Sequence, residues 1–274
     1  MEGGARDVDK GHPGTPDRET AAPLLQMEGI AFAYERAGRK VPILVDFGLK
    51  VYTGEFLVLV GPSGSGKSTI FKLIAGLLQP ERGEIRYRGE PFPERLGRVG
   101  YMPQQDWLLP WRSVAQNAAL ALEVKGVRGS EARRRVLEKL PQFGLGGLEE
   151  AYPEQLSGGM RQRVSFLRTV LAENDLLLLD EPFAALDAMT RMKMQEWLLE
   201  LWHGLGRTVV FITHDVEEAV LLSDRIGLLS QRPISQVYWV PNHLPRPRRL
   251  SMVTERPFVE VKRHLLEALG GMRK

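Results

Sequence analysis

The chain has no cysteine in its 274 residues, which excludes a disulfide framework, a thiolate metal site and a cysteine nucleophile. A reducing compartment is permitted, and the cytoplasm is the expected one. No apolar run approaches the roughly 20 residues that a bilayer span requires, and the first 23 residues lack the apolar stretch of a signal peptide. The chain is therefore expected neither to cross a membrane nor to be exported by that route. Charge of one sign is also in short supply. With 37 basic and 34 acidic residues the net charge is +3, too small to indicate a polyanion partner by itself. The imbalance is local: residues 1–23 carry three basic and five acidic side chains, and residues 230–274 carry nine and three. What remains is an ordinary globular composition, 43% hydrophobic and 26% charged.

Residues 1–23 mix Gly, Pro, Asp and Arg without periodicity, so they cannot bury enough apolar surface to offset the entropy of ordering, and a disordered arm is expected. β-rich stretches follow at Gly29 to Tyr34 and Lys50 to Tyr52, and the run Glu55 to Val60 leads directly into Gly61. The apolar runs Leu176 to Leu179 and Val209 to Ile212 lack in-out alternation, as strands covered on both faces do, and imply a parallel central sheet. Helices are predicted over Lys67 to Leu78, Ser113 to Lys125, Ser130 to Phe143, Gly158 to Glu173 and Met189 to Leu205. Strand and helix alternate, so the class is α/β. Between about 105 and 165 helices occur without a convincing strand, which predicts an inserted helical lobe. After Leu229 the pattern loosens into a basic, proline-containing tail with one amphipathic candidate, Val259 to Leu269.

The segment Gly61-Pro62-Ser63-Gly64-Ser65-Gly66-Lys67-Ser68-Thr69 fits the phosphate-loop pattern and lies between a predicted strand and a predicted helix. Glycines let successive N–H groups point at phosphate oxygens, and the helix presents its positive end to the same anion. Lys67 would reach the β- and γ-phosphates, and Ser68 would offer its hydroxyl to Mg²⁺. Leu176 to Pro182 places two carboxylates at the end of a buried strand: Asp180 suits the magnesium shell and Glu181 the attacking water. About twenty residues upstream, Leu156-Ser157-Gly158-Gly159-Met160 opens an amphipathic helix with Val164, Leu167 and Leu171 on one side, a second anion-binding helix start.

With that segment the chain resembles the ATP-binding subunits of ABC transporters, whose signature is Leu-Ser-Gly-Gly-Gln just before the catalytic strand. The resemblance covers about Leu24 to Leu229. Met160 stands where the signature has Gln, which removes an amide and leaves the donors of Ser157, Gly158 and Gly159. The fold implied is a P-loop NTPase of the ABC type: a RecA-like parallel core, an antiparallel β subdomain and the helical lobe. The resemblance also implies that Gln104, in preference to its neighbour Gln105, touches Mg²⁺ and the attacking water. Asp187 would communicate across a dimer, and His214 would sense the γ-phosphate. Tyr34 either stacks on adenine or belongs to the core. Two ATP would lie sandwiched in a head-to-tail dimer, each site borrowing Ser157 and Gly159 from the other subunit.

With no spanning helix of its own, such a chain needs a separate permease and works at the cytoplasmic face of the membrane as a peripheral subunit. The segments Leu108 to Trp111, Asp180 to Arg191 and Leu244 to Arg248 look similar to the nitrate, sulfonate and taurine import ATPases, which implies an extracytoplasmic solute-binding protein as an indirect partner. The alternative is a nucleic-acid-handling ABC ATPase, which would explain the basic tail. Against it, only about fifty residues separate Gln104 from Leu156, too few for a long coiled-coil arm. No Asn-Lys-x-Asp guanine motif occurs, which argues against a GTPase. No nucleic acid is expected as a partner.

Overall fold

The computed structural model describes residues 21–229 and 232–271. Residues 1–20 of the expected arm, 230–231 in the tail and 272–274 at its end lie outside the described residues. In chain order the elements are β1 (Leu25–Arg36), β2 (Arg39–Val51), β3 (Phe56–Val60), α1 (Lys67–Ile74), β4 (Arg82–Tyr87), β5 (Glu90–Pro91) and β6 (Gly100–Met102). Then come α2 (Val114–Val124), α3 (Gly129–Lys139), α4 (Gly158–Leu171), β7 (Leu176–Asp180), α5 (Ala188–Leu205) and β8 (Thr208–Thr213). The chain closes with α6 (Val216–Leu222), β9 (Arg225–Leu229), β10 (Val237–Val240) and α7 (Arg256–Gly271).

Every residue of β3, β7 and β8 is buried, as the unbroken apolar runs require of strands with both faces covered. Successive side chains still point to opposite faces. Phe56, Val58 and Val60 enter one core with Leu177, Leu179, Val209 and Phe211, beneath the helices of the lobe and α5 to α7. Leu57 and Leu59 enter the other with Leu176, Leu178, Val210 and Ile212, where α1 and the antiparallel strands pack. The central sheet runs β10-β9-β3-β8-β7-β6, parallel except for the β9/β10 pair. A second sheet, β2-β1-β4-β5, is antiparallel throughout.

Helix ends differ from the sequence reading for local reasons. The helix beginning at Lys67 stops at Ile74, four residues early, and Gly76 takes φ 78° just beyond it. The helix expected to reach Phe143 leaves α geometry after Lys139 and ends in a tighter 3₁₀ turn over Leu140–Phe143, because Pro141 has no N–H to continue the ladder. Glu173 adopts φ 55° and ends α4 at Leu171. The β-rich N-terminal stretches are longer than expected, forming a 12- and a 13-residue strand. Beyond Leu229, where the sequence pattern loosens, β10 adds a strand to the central sheet and α7 buries Phe258, Val261 and Leu265. Between β6 and β7 the chain is helix and turn, with α2, α3 and α4 packed around Ala118, Leu122, Val136 and Val164.

Candidate functional site

Strand register decides which residues meet. Val60 pairs with Thr213, Asp180 with Ile212, and Met102 with Leu179. The carboxyl ends of β3, β8, β7 and β6 therefore stop together, and the residues that follow each strand emerge along one rim. Those residues are Gly61, His214, Glu181 and, two beyond β6, Gln104. Ligands in open parallel sheets bind outside this carboxyl edge.

The loop from Gly61 to Gly66 enters α1 through Gly66 at φ 115°, ψ 8°. A Cβ there would stand 2.6 Å from Ile43 Cγ2, and one on Gly61 would stand 2.9 Å from the Leu229 carbonyl, so the loop can lie flush on the sheet only with glycine at both places. Lys67 is 4% exposed and folds back over the loop: Nζ donates to the carbonyls of Gly61 (2.8 Å) and Pro62 (3.0 Å) and lies 3.5 Å from Glu181 Oε1. Burial lowers its pKa, an effect that Glu181 and then Asp180 oppose. Ser65 Oγ is buried in the loop without a hydrogen-bond partner. An enclosed ammonium, an unpartnered hydroxyl and a helix N-terminus form a cradle suited to phosphate oxygens.

The second half of the site is acidic. Ser68 Oγ donates to Asp180 Oδ1 (3.1 Å), and the Tyr101 hydroxyl donates to Oδ2 (3.4 Å). Burial pushes the Asp180 carboxyl upward, Glu181 adds to the shift, and the Ser68 bond opposes it. Glu181, the next residue, takes φ 45° while its N–H still bonds the Ile212 carbonyl (2.9 Å). A left-handed turn at a non-glycine residue costs about 1–3 kcal/mol. Here it swings the side chain out of the buried strand and into the site. Its Oε2 accepts from Gln104 Nε2 (3.4 Å) and lies 3.1 Å from His214 Nδ1.

The other expected residues sit as follows. Thr69 Oγ1 is 3.4 Å from the Tyr34 hydroxyl. Tyr34 is half-buried on β1 and packs edge-on against Phe32 at 5.0 Å. Ser63 and Gly64 are exposed on the loop beside half-buried Pro62. Ser157 caps α4 by accepting from Met160 N (3.3 Å), and Asp187 caps α5 by accepting from Thr190 N (3.0 Å). The Thr190 bonds hold the Asp187 carboxyl below its usual range. Gly158 and Gly159 open α4, and a Cβ on Gly159 would meet Thr190 Cγ2 at 2.9 Å. Among the described residues no hydrogen bond or ion pair joins Ser157 to Gly159, or Asp187, to the phosphate loop.

The pattern of the ABC transporter family matches residues 44–184, from within β2 to just past Glu181. The chain belongs to the ABC transporter family. Among its relatives, the formylaminopyrimidine import ATP-binding protein ThiZ of Halalkalibacterium halodurans is 43% identical over 211 residues, 77% of this chain and 81% of that protein. The taurine import ATP-binding protein TauB of Pseudomonas savastanoi is 39% identical over 257 residues, 91% and 97% of the two chains. The aliphatic sulfonates import ATP-binding protein SsuB 1 of Rhodococcus jostii is 45% identical over 82% of this chain and 86% of that one. Among solved structures, the dimeric post-hydrolysis state of the ATP-binding cassette MJ0796 bound to ADP and Pi superposes with a TM-score of 0.68 at 31% identity, covering 78% of this chain and 96% of that one. This ABC cassette accordingly has the P-loop NTPase fold and is an ATPase.

Sequence reasoning passed over two parts of the cassette's site. Tyr101 reaches Asp180 from the short strand β6, and the only signal was its place three residues before Gln104. Glu218 is buried on α6, where it accepts from Thr213 Oγ1 (2.6 Å) and Gln195 Nε2 (3.2 Å), and burial raises its pKa. This network ties the end of β8 to α5 and α6 behind His214.

The geometry of Gly66 makes a direct prediction. Gly66→Ala places a side chain in a backbone region that costs about 1–3 kcal/mol and drives a Cβ against buried Ile43. The variant is expected to unfold at lower temperature and to bind ATP more weakly, read by calorimetry and nucleotide titration. Wild-type values for both would mean that the loop does not need this conformation.

Proposed function

We propose that the chain is the ATP-hydrolysing subunit of a membrane importer of the nitrate, sulfonate and taurine type, acting as a head-to-tail dimer around two ATP and driving a separate permease. The observation that carries this reading is the convergence of Lys67, Asp180, Glu181, Gln104 and His214 at one sheet edge. Phosphoryl transfer to water needs little covalent help, so positioned charge around the γ-phosphate does most of the work.

In this reading Lys67 leaves the Gly61 and Pro62 carbonyls for the β- and γ-phosphate oxygens, and the loop amides take the remaining phosphate oxygens. Glu181 orients the attacking water and accepts its proton at a carboxylate oxygen. Gln104 and His214, both bonded to the same carboxylate, hold it and the water in line. The oxygen donors Ser68, Asp180 and Gln104 suit a hard cation. Mg²⁺ held there would neutralise charge on the β- and γ-phosphates. Ser157 to Gly159, joined to the phosphate loop of their own subunit by no hydrogen bond or ion pair among the described residues, would complete the site of the other copy. Tyr34 lies near enough to Thr69 to border the nucleotide, and Asp187 would face the second subunit.

Among the described residues no helix is long and apolar enough to cross a membrane. The permease would dock on the lobe beside Gln104, where Trp107 and Trp111 are 65% and 70% exposed. Peripheral attachment at the cytoplasmic face and an extracytoplasmic solute-binding protein follow from this reading. Nucleic-acid handling is disfavoured by the import subunits among the relatives, and two of the cations of the basic tail, Arg246 and Arg248, are turned into the protein.

The test is capture of the full chain from detergent-solubilised membranes of its own host. A polytopic membrane subunit should co-purify and be released by Trp111→Glu. Hydrolysis that is stimulated by DNA or RNA in a salt-sensitive manner, with no membrane subunit bound, would overturn the reading.

A further inference from the structure

Helix α6 starts at Val216, with Asp215 as its cap between it and His214, and is only seven residues long, too short to hold itself together in water. Its first turn is stitched to the histidine's own segment. Asp215 Oδ1 accepts from Glu217 N (2.8 Å) and Glu218 N (3.1 Å), Thr213 Oγ1 donates to Glu218, and Asp215 N donates back to Thr213 Oγ1 (3.0 Å). A shift of α6 is therefore a shift of His214.

The other end of α6 is held by the segment after β10. A helix leaves its last four carbonyls without partners, and here those belong to Val220, Leu221, Leu222 and Ser223. All four are taken by three side chains. Arg248 donates to Val220 O (3.1 Å), Leu221 O (3.3 Å), the Ser223 carbonyl and Leu244 O (2.9 Å). Arg246 donates to Leu222 O (2.7 Å) and Asp224 Oδ1 (2.6 Å). Asn242 donates to Val220 O and Ser223 O, both at 2.9 Å. Arg248 is 4% exposed and Arg246 stacks on Trp202 at 4.1 Å. Burial, with Arg246 alongside, pushes the Arg248 pKa down to about 9, so it remains a cation at neutral pH. Cations at a helix C-terminus also complement its dipole. Burying a guanidinium is costly; here both terminal nitrogens of Arg248 are engaged while its Nε is buried without a partner, and α7, whose Lys262 pairs with Glu217 of α6, packs along the same helix.

We propose that Arg248, supported by Arg246 and Asn242, is a positioning residue for His214: by fixing the far end of α6 it sets the register of the imidazole against Glu181. The proposal rests on His214 acting at the γ-phosphate. In the full chain, assembled with its membrane partner, Arg248→Ala is expected to lower kcat about tenfold while the ATP dissociation constant changes less than about twofold. Arg248→Lys, which keeps the charge and three donors, should recover part of the rate. In a His214→Ala background the Arg248→Ala substitution should cost nothing further, because the group it positions is gone.

Equal losses with and without His214, or a lowered melting temperature with an unchanged rate, would overturn the proposal. Should Arg248→Ala fail to fold, Arg246→Gln and Asn242→Ala, which between them act on three of the same four carbonyls, decide by the same cycle. Wild-type hydrolysis by His214→Ala alone would overturn the role given to His214, and the proposal with it. Failure confined to the Arg248 cycle leaves the role of His214 intact.

Discussion

Glu181→Gln is expected to bind ATP normally and to hydrolyse it about 10²–10⁴-fold more slowly, the usual contribution of a positioned general base. That range corresponds to about 3–5 kcal/mol of lost transition-state stabilisation. The substitution is nearly isosteric, so Gln104 and His214 keep a partner oxygen at the position of Oε2. What disappears is the proton acceptor and one of the anions facing Lys67. Removing that anion beside the ammonium proposed to meet the γ-phosphate should also favour the ATP-bound state. The variant should accumulate as a dimer with two unhydrolysed ATP, measured by gel filtration and by single-turnover assay. Turnover at the wild-type rate would dismiss Glu181 as the base and require another acceptor near the γ-phosphate.

The second large effect is expected at a residue that shares no hydrogen bond or ion pair with the phosphate loop among the described residues. Ser157 is exposed at the N-terminus of α4. Arginine in its place loses the cap, worth about 1 kcal/mol, and sets a long side chain where the second copy of the proposed dimer would approach. ATP binding by the single subunit should survive, because Lys67 keeps its contact with the Gly61 carbonyl and Ser68 its bond to Asp180. Dimerisation and turnover should be lost, with the rate falling more than about 100-fold. Ser157→Asp separates the two causes: it retains a good cap yet brings a carboxylate toward the phosphates, so it too should block dimerisation at unchanged thermal stability. Full activity in either variant would mean that each subunit hydrolyses ATP with its own residues.

Much of the site is legible in the sequence because its parts are contiguous. The phosphate loop, the Asp180-Glu181 pair and the Ser157 to Gly159 segment each need only a few neighbouring residues and a flanking strand or helix, and local composition carries that information. The buried strands were legible for a related reason: both faces of β3, β7 and β8 are covered, so their apolar runs are unbroken. Short or mixed elements were not. Strand β6 has three residues and β5 two, too few for any period to register.

Sequence by itself determined the chemistry available to this protein: which segment fits the phosphate-loop pattern, which carboxylates follow a buried strand, and which family the pattern resembles. Tertiary structure alone decided which of them meet. Glu181 touches His214, 33 positions away, because Asp180 pairs with Ile212 on the neighbouring strand. Residue types do not encode the register of a parallel pair; it follows from packing both faces at once. The basic tail shows the same division. In sequence, an arginine among prolines reads as a solvated surface, since burying a cation is unfavourable on its own. Only the fold brings four unpaired helix carbonyls to Arg248 and its neighbours, and that contact turns a surface charge into part of the interior.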